Sequence, residues 1–240
     1  VVVPYDFSSV ADHAVKYALN AAKTSDMKVY LLHVVKKDSE KKEAEQKLET
    51  AASGFSGAVD GKILSKVVVG SIFEDIAKIA ETLDTKLIVM GTHGEKGLQR
   101  ILGSRAIKVI TSGVIPFCVV QEDTRIGDIN RVVVPFDLSK ESIQILTFAS
   151  RLSKIYNAEV NLVGGEQTDE FLIRKSHSNI RLATSHLEKE GVPHKVELLP
   201  RQKRFAEAVL DYAETNNADL IAVGYMQNSI IPQLDRFVQT

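Results

Sequence analysis

Apolar residues along this chain cluster into short runs, separated by longer stretches in which they recur every three or four positions. In the first half the runs cover residues 1–5, 29–35, 63–69, 87–91 and 116–120. Runs of this length without in/out alternation predict strands buried on both faces. Ser8 or Ser9 can cap a helix that carries Ala11, Val15, Ala18, Leu19 and Ala22 on one face. Residues 36–50 are so charged that they predict a solvated helix with a narrow apolar stripe, and 72–83 predict an amphipathic one. After Gly91 come Gly94, Gly97, Gly103 and Ser104, then a further helical segment over 105–112. Pro116 opens the last run, at the strand position where a missing N–H is tolerated.

Strands that alternate with helices predict an α/β fold: a parallel sheet, right-handed crossovers and helices on both faces. Ligands of such sheets sit beyond the carboxyl ends of the strands, where strand order reverses. The first, second and fourth strands end at Asp6, at His33-Val34 and at Gly91. Glycines let a backbone approach a ligand, and a loop that ends in Ser at a helix start offers free N–H groups to an anion. The stretch 91–104 therefore fits a phosphate cradle, and equally a plain turn joining strand to helix.

The pattern repeats. Val1-Val2-Val3-Pro4-Tyr5-Asp6-Phe7-Ser8 returns 131 positions later as Val132-Val133-Val134-Pro135-Phe136-Asp137-Leu138-Ser139. Residues 73–81 resemble 205–214, and Leu87-Ile88-Val89-Met90-Gly91 parallels Leu220-Ile221-Ala222-Val223-Gly224 at an offset of 133. Similar offsets in three separate elements predict two tandem domains, 1–122 and 131–240, joined by a polar linker over 123–130.

Composition narrows the partners. Thirty basic and 31 acidic side chains give a net charge of -1, so no global field draws the chain to nucleic acid or an anionic membrane. The single cysteine, Cys118, excludes an internal disulfide framework; within an apolar run it reads as a core thiol. No apolar run nears the length of a membrane span. The expectation is a cytoplasmic protein with no nucleic-acid or membrane partner.

Val3-Pro4-Tyr5-Asp6-Phe7-Ser8, Leu32-His33-Val34, Val69-Gly70 before an amphipathic helix, and Met90-Gly91-Thr92-His93-Gly94 with the later Gly103-Ser104 resemble the universal stress protein family in its tandem form. The resemblance implies two Rossmann-like domains, each a parallel sheet of order 3-2-1-4-5 between helices. It also implies an adenine nucleotide, ATP in many members, with Mg²⁺ as a companion ion. Carried over to this sequence, Asp6 and the backbone of Val34 receive the adenine and ribose side. Pro4 shapes the pocket wall and Met90 packs near the ligand. Gly91 and Gly94 line the loop, and Gly103 and Ser104 hold phosphate. Asp6 has an alternative reading as a helix cap or Asx-turn residue. His33 and His93 match positions that are usually structural, and neither is assigned a metal.

The sequence departs from the family motif Gly-x2-Gly-x9-Gly-Ser/Thr in two places. Eight residues, 95–102, separate Gly94 from Gly103 where the motif has nine. In the second copy Gly224 is followed by Tyr225-Met226-Gln227-Asn228, with no second glycine and no Gly-Ser, and Gly164 stands at the His33 position. The chain also stops at Thr240, before any counterpart of 116–120, so the second copy is expected to lack its last strand here. In the family that strand commonly pairs domains, which implies either pairing of the two copies within the chain or a homodimer. Three readings follow: a regulatory nucleotide-binding protein with the second copy as pseudo-dimer partner, an interaction protein without nucleotide, and a slow ATP hydrolase. No catalytic residue is assigned.

Overall fold

A computed structural model of the protein describes residues 1–23, 27–55, 63–92, 115–136, 142–201 and 204–224. They form two compact units, the first spanning Val1–Ile126 and the second beginning at Gly127. Among the described residues no helix is long and apolar enough to cross a membrane.

The first unit runs β1 (Val2–Pro4), α1 (Ser9–Ala22), β2 (Val29–Val35), α2 (Lys41–Phe55), β3 (Ile63–Val69), α3 (Ile72–Thr82), β4 (Ile88–Gly91) and β5 (Phe117–Val120). All five strands are parallel, in the order β3-β2-β1-β4-β5. Successive strand residues point to opposite faces, and the two faces are covered differently. Val3, Leu31 and Val89 pack with Ala14, Val15 and Ala18 of α1 and with Leu48 of α2. Val2, Leu32 and Ile88 pack with Ile76 and Ala80 of α3. The central strands β1, β2 and β4 are covered on both sides and are apolar almost throughout, whereas the edge strand β3 carries exposed Ser65 and Lys66.

Local chemistry sets the helix ends. The Ser8 hydroxyl caps α1 by accepting from the Ala11 amide at 3.3 Å. A 3-10 turn, Asp38–Glu40, precedes α2, and its Glu40 carboxylate accepts from the amides of Lys36 at 3.1 Å and Lys37 at 3.3 Å. In α2 only Ala44 and Leu48 are buried, the expected narrow stripe, but the helix continues to Phe55 because Ala51, Ala52 and Phe55 still rest on the core. The polar segment after β5 is not a free linker over its whole length. Ser9 Oγ donates to Glu122, and His13 Nε2 meets the Thr124 carbonyl at 2.7 Å, so α1 holds this segment to the first unit.

The second unit repeats the plan with β6 (Arg131–Pro135), α4 (Ser142–Tyr156), β7 (Glu159–Gly165), α5 (Glu170–Lys189), β8 (His194–Leu199), α6 (Phe205–Thr215) and β9 (Leu220–Ile221). Its described strands are parallel in the order β8-β7-β6-β9. Its own core gathers Val132, Val134, Leu146, Val160, Leu162, Ala183 and Leu187, and Val133, Val163 and Val209 form a second cluster on the α6 side.

Cys118 packs against the first core from β5, and burial pushes its thiol up to about 11, with Tyr17 as a partly offsetting hydrogen-bond partner. The thiol is therefore protonated at neutral pH and is no nucleophile. Its folded pKa is raised above the free value, so the stabilisation is intact below about pH 9 and is lost as pH rises towards 11. Across that window the difference in unfolding free energy between the protein and Cys118→Ala should shrink by about 1.4 kcal/mol per pH unit, measured by urea denaturation. A constant difference would contradict this.

Candidate functional site

Strand order reverses at β1, which has β2 on one side and β4 on the other. Val2 pairs with Tyr30 and with Ile88, so the three strands run in step towards their carboxyl ends. Val2, Leu32 and Ile88 share the α3 face; two residues further along each strand lie Pro4, Val34 and Met90, on the same face by the two-residue period. Asp6 lies just past the end of β1 and Gly91 closes β4. The described candidates thus converge on one strand-end crevice. Gly94, Gly103 and Ser104, and with them His93, lie outside the described residues.

Val34 owes its availability to the short β1. The amide of Tyr30 donates to Val1 O at 2.9 Å, and Leu32 O accepts from the Tyr5 amide at 2.8 Å. Even-numbered residues of β2 therefore turn both backbone polar groups towards β1. Val34 is next in that series, and its N–H and C=O meet no backbone partner on that side among the described residues. The Tyr5 carbonyl, which would otherwise continue the ladder, takes the His33 Nδ1 at 2.7 Å, so that nitrogen carries the proton. His33 is structural in this sense, as the sequence implied.

Asp6 is exposed, and its Oδ1 accepts from both the amide of Ser8 at 3.1 Å and the hydroxyl of Ser8 at 2.5 Å. This is an Asx turn, and it orients the carboxylate while leaving Oδ2 without a bond from any described residue. Phe7, between them, has φ 66°, a left-handed conformation a bulky residue rarely adopts. It is held there by packing: its ring lies edge-on to Tyr5 at 5.2 Å and tilted over His33 at 4.8 Å. Tyr5 in turn donates to Asp12 Oδ1 at 2.5 Å, and burial together with that carboxylate pushes its phenol well above the ordinary range. Nothing in the sequence marked Phe7, since left-handed positions are usually glycine or asparagine.

Gly91 has a structural duty besides any ligand. A methyl group there would stand 2.5 Å from Val10 O and 2.8 Å from its carbonyl carbon, so the glycine lets the first turn of α1 approach β4. Thr92, which follows it, is buried with its hydroxyl unpartnered among the described residues. It lies within the glycine-rich motif but was not singled out from the sequence.

At the matching corner of the second unit both glycines of β7 have close side-chain neighbours. Gly165 falls at the Val34 position, and its carbonyl accepts from Gln167 Nε2 at 3.0 Å. Gly164 falls at the His33 position, and the Phe136 ring stands 2.9 Å from where its Cβ would be. Asp137, the counterpart of Asp6, lies outside the described residues.

One parallel sheet of order 3-2-1-4-5 and a second parallel sheet of order β8-β7-β6-β9 define the class: a Rossmann-like α/β protein. The profile of the universal stress protein family matches residues 1–121, and the chain belongs to that family. Two universal stress proteins of Methanocaldococcus jannaschii are similar to it. One is 33% identical over 142 residues, covering 51% of this chain and 81% of the relative. The other is 29% identical over 152 residues, covering 50% of this chain and 93% of the relative. A crystal structure of a universal stress protein from Archaeoglobus fulgidus matches across 99% of this chain and 93% of its own, with a TM-score of 0.78 and 20% identity, a likeness of fold.

Proposed function

We propose that the chain is a regulatory protein of the stress-response type that binds an adenine nucleotide, ATP or a relative of it, in its first unit. The observation that carries this reading is the backbone N–H and C=O of Val34 at the carboxyl end of β2, which meet no partner on the β1 side among the described residues. Together they form a donor–acceptor pair complementary to the ring nitrogen and amino group on the edge of adenine. Pro4 and Met90, on the same face, supply apolar surface for the base, and Asp6 Oδ2 is free to accept a ribose hydroxyl. The glycines of the loop, Gly94 and Gly103, with Ser104, would receive the phosphates and their Mg²⁺ in the manner of the family motif.

In this proposal the second unit is a degenerate copy, acting as partner to the first and not as a second nucleotide site. The Gln167 bond to Gly165 O and the Phe136 ring beside Gly164 support that assignment. Occupancy, not turnover, would be the signal, through one arrangement of the loop being favoured when nucleotide is bound. The Asx turn of Asp6 favours a second reading, an interaction protein without nucleotide, because it gives that carboxylate a purely structural task.

Calorimetric titration with ATP on the protein and on Val34→Pro separates the two. The amide of Val34 serves no strand, so proline removes it without breaking a described ladder bond. Affinity should fall by about 10-fold or more, the loss of one buried hydrogen bond together with the crowding of the ring. Equal affinity in the two proteins, or no heat in either with no nucleotide found by mass spectrometry of the purified protein, would sink the proposal.

A further inference from the structure

The second unit holds a cavity unrelated to the crevice at the central strand. It is an open depression at the carboxyl ends of β7 and β8 beside the start of α5, with a volume of about 270 Å³. That is just under the roughly 300–1,000 Å³ of pockets for drug-sized ligands, and room for a smaller molecule. Glu166, Gln167, Thr168, Ser176, Leu198 and Arg201 contribute to its wall.

Two features make it more than a surface dent. The first is its pair of opposite charges. Arg201 Nη1 donates to Thr168 Oγ1 at 3.2 Å, which aims the guanidinium, yet Arg201 forms no ion pair with any described residue. The Glu166 carboxylate likewise has no partner among the described residues, although its backbone is fixed by a 2.9 Å bond from its amide to Leu199 O. Both side chains are exposed, and, lining one cavity without pairing, they present one cationic and one anionic group to an occupant. The second feature is Ser176: the residue is only 5% exposed, lines the cavity, and its hydroxyl bonds to no described residue. That oxygen keeps solvent access, so it is available to an occupant of the cavity.

A pure anion would be repelled by Glu166 and a pure cation by Arg201, whereas a molecule bearing both charges satisfies the two. We propose that this cavity binds a small zwitterion of the α-amino acid class, with its carboxylate on Arg201 and its ammonium on Glu166. The planar guanidinium fork suits a carboxylate, Ser176 and Thr168 supply further hydroxyls, and Leu198 gives the side chain an apolar wall. The site stands independently of the nucleotide reading of the first unit.

The test is an amide chemical-shift titration of the full chain with L-serine, L-leucine and L-glutamine, with acetate and methylammonium as single-charge probes. Saturable shifts are expected at Gln167, Thr168, Ser176 and Arg201, with acetate and methylammonium binding at least about 10-fold more weakly. Arg201→Gln and Glu166→Gln should each weaken amino-acid binding by about 10-fold or more, with spectra otherwise unchanged. Absence of shifts with all three amino acids, acetate binding as tightly as they do, or unaltered affinity in both variants would overturn the proposal. Should a variant fail to fold, the single-charge comparison on the unmodified protein decides.

Discussion

Gly91→Ala is expected to destabilise the first unit by about 2–3 kcal/mol, the upper part of the range for overpacking a tight interior site. The added methyl would meet Val10 O at 2.5 Å, its carbonyl carbon at 2.8 Å and Val10 Cγ2 at 3.0 Å. Two of these three atoms are backbone in the first turn of α1, and backbone cannot swing aside as a side chain end does. Relief requires α1 to lift from β4. Because α1 starts at Ser9, directly after the Asp6–Ser8 turn, the movement would also displace the Asp6 carboxylate. Urea denaturation should show the lower stability, and hydrogen exchange should place it at the amides of β1 and β4. A variant of unchanged stability that lost only ATP binding would show that the glycine serves ligand approach and not helix packing.

The second large effect is expected from Leu162→Ala, at about 2–5 kcal/mol. Leu162 lies at the centre of β7, is 0% exposed, and packs within the cluster of Val132, Val134, Leu146 and Leu187. Its neighbours are strand and helix residues already held by their own ladders, so the space left by the removed carbons closes poorly. The matched control is Leu182→Ala on α5: Leu182 is 58% exposed, and its loss should stay within about 0.5 kcal/mol. If the two variants unfolded at similar urea concentrations, the assignment of the second core would be wrong.

Much of the fold was legible because apolar runs bounded by turn residues mark the strands, even at the edge strand β3, where most residues are exposed. The apolar runs at 29–35 and 63–69 coincide with β2 and β3 to the residue, since each is bounded by polar or turn residues. The end of α2 was not legible: Ala51, Ala52 and Phe55 look like the start of a loop until the core they rest on is known. The same holds for the segment after β5, whose polar composition suggested a linker while its bonds to Ser9 and His13 span more than a hundred positions. At the crevice, the family resemblance implied Pro4, Val34 and Met90, and the strand register then puts them on one face. The left-handed turn at Phe7 could not be read, because it is imposed by the rings of Tyr5 and His33 and contradicts the residue's own preference. Asp84, Asn157 and Asn217, the other left-handed non-glycine positions, are of the residue types that tolerate it.

The central place of β1 has a consequence for biosynthesis. Val2 pairs with Tyr30 on one side and with Ile88 on the other, partners 28 and 86 residues downstream. As the chain leaves the ribosome, the β1–β2–β3 half can close while the opposite edge of β1 still waits for β4. At about 5–20 residues per second that wait lasts several seconds. An open strand edge is a template for pairing with another nascent chain. At three residues, β1 is a poor template, and the brevity that leaves Val34 without a β1 partner also limits misassembly while the protein is being made.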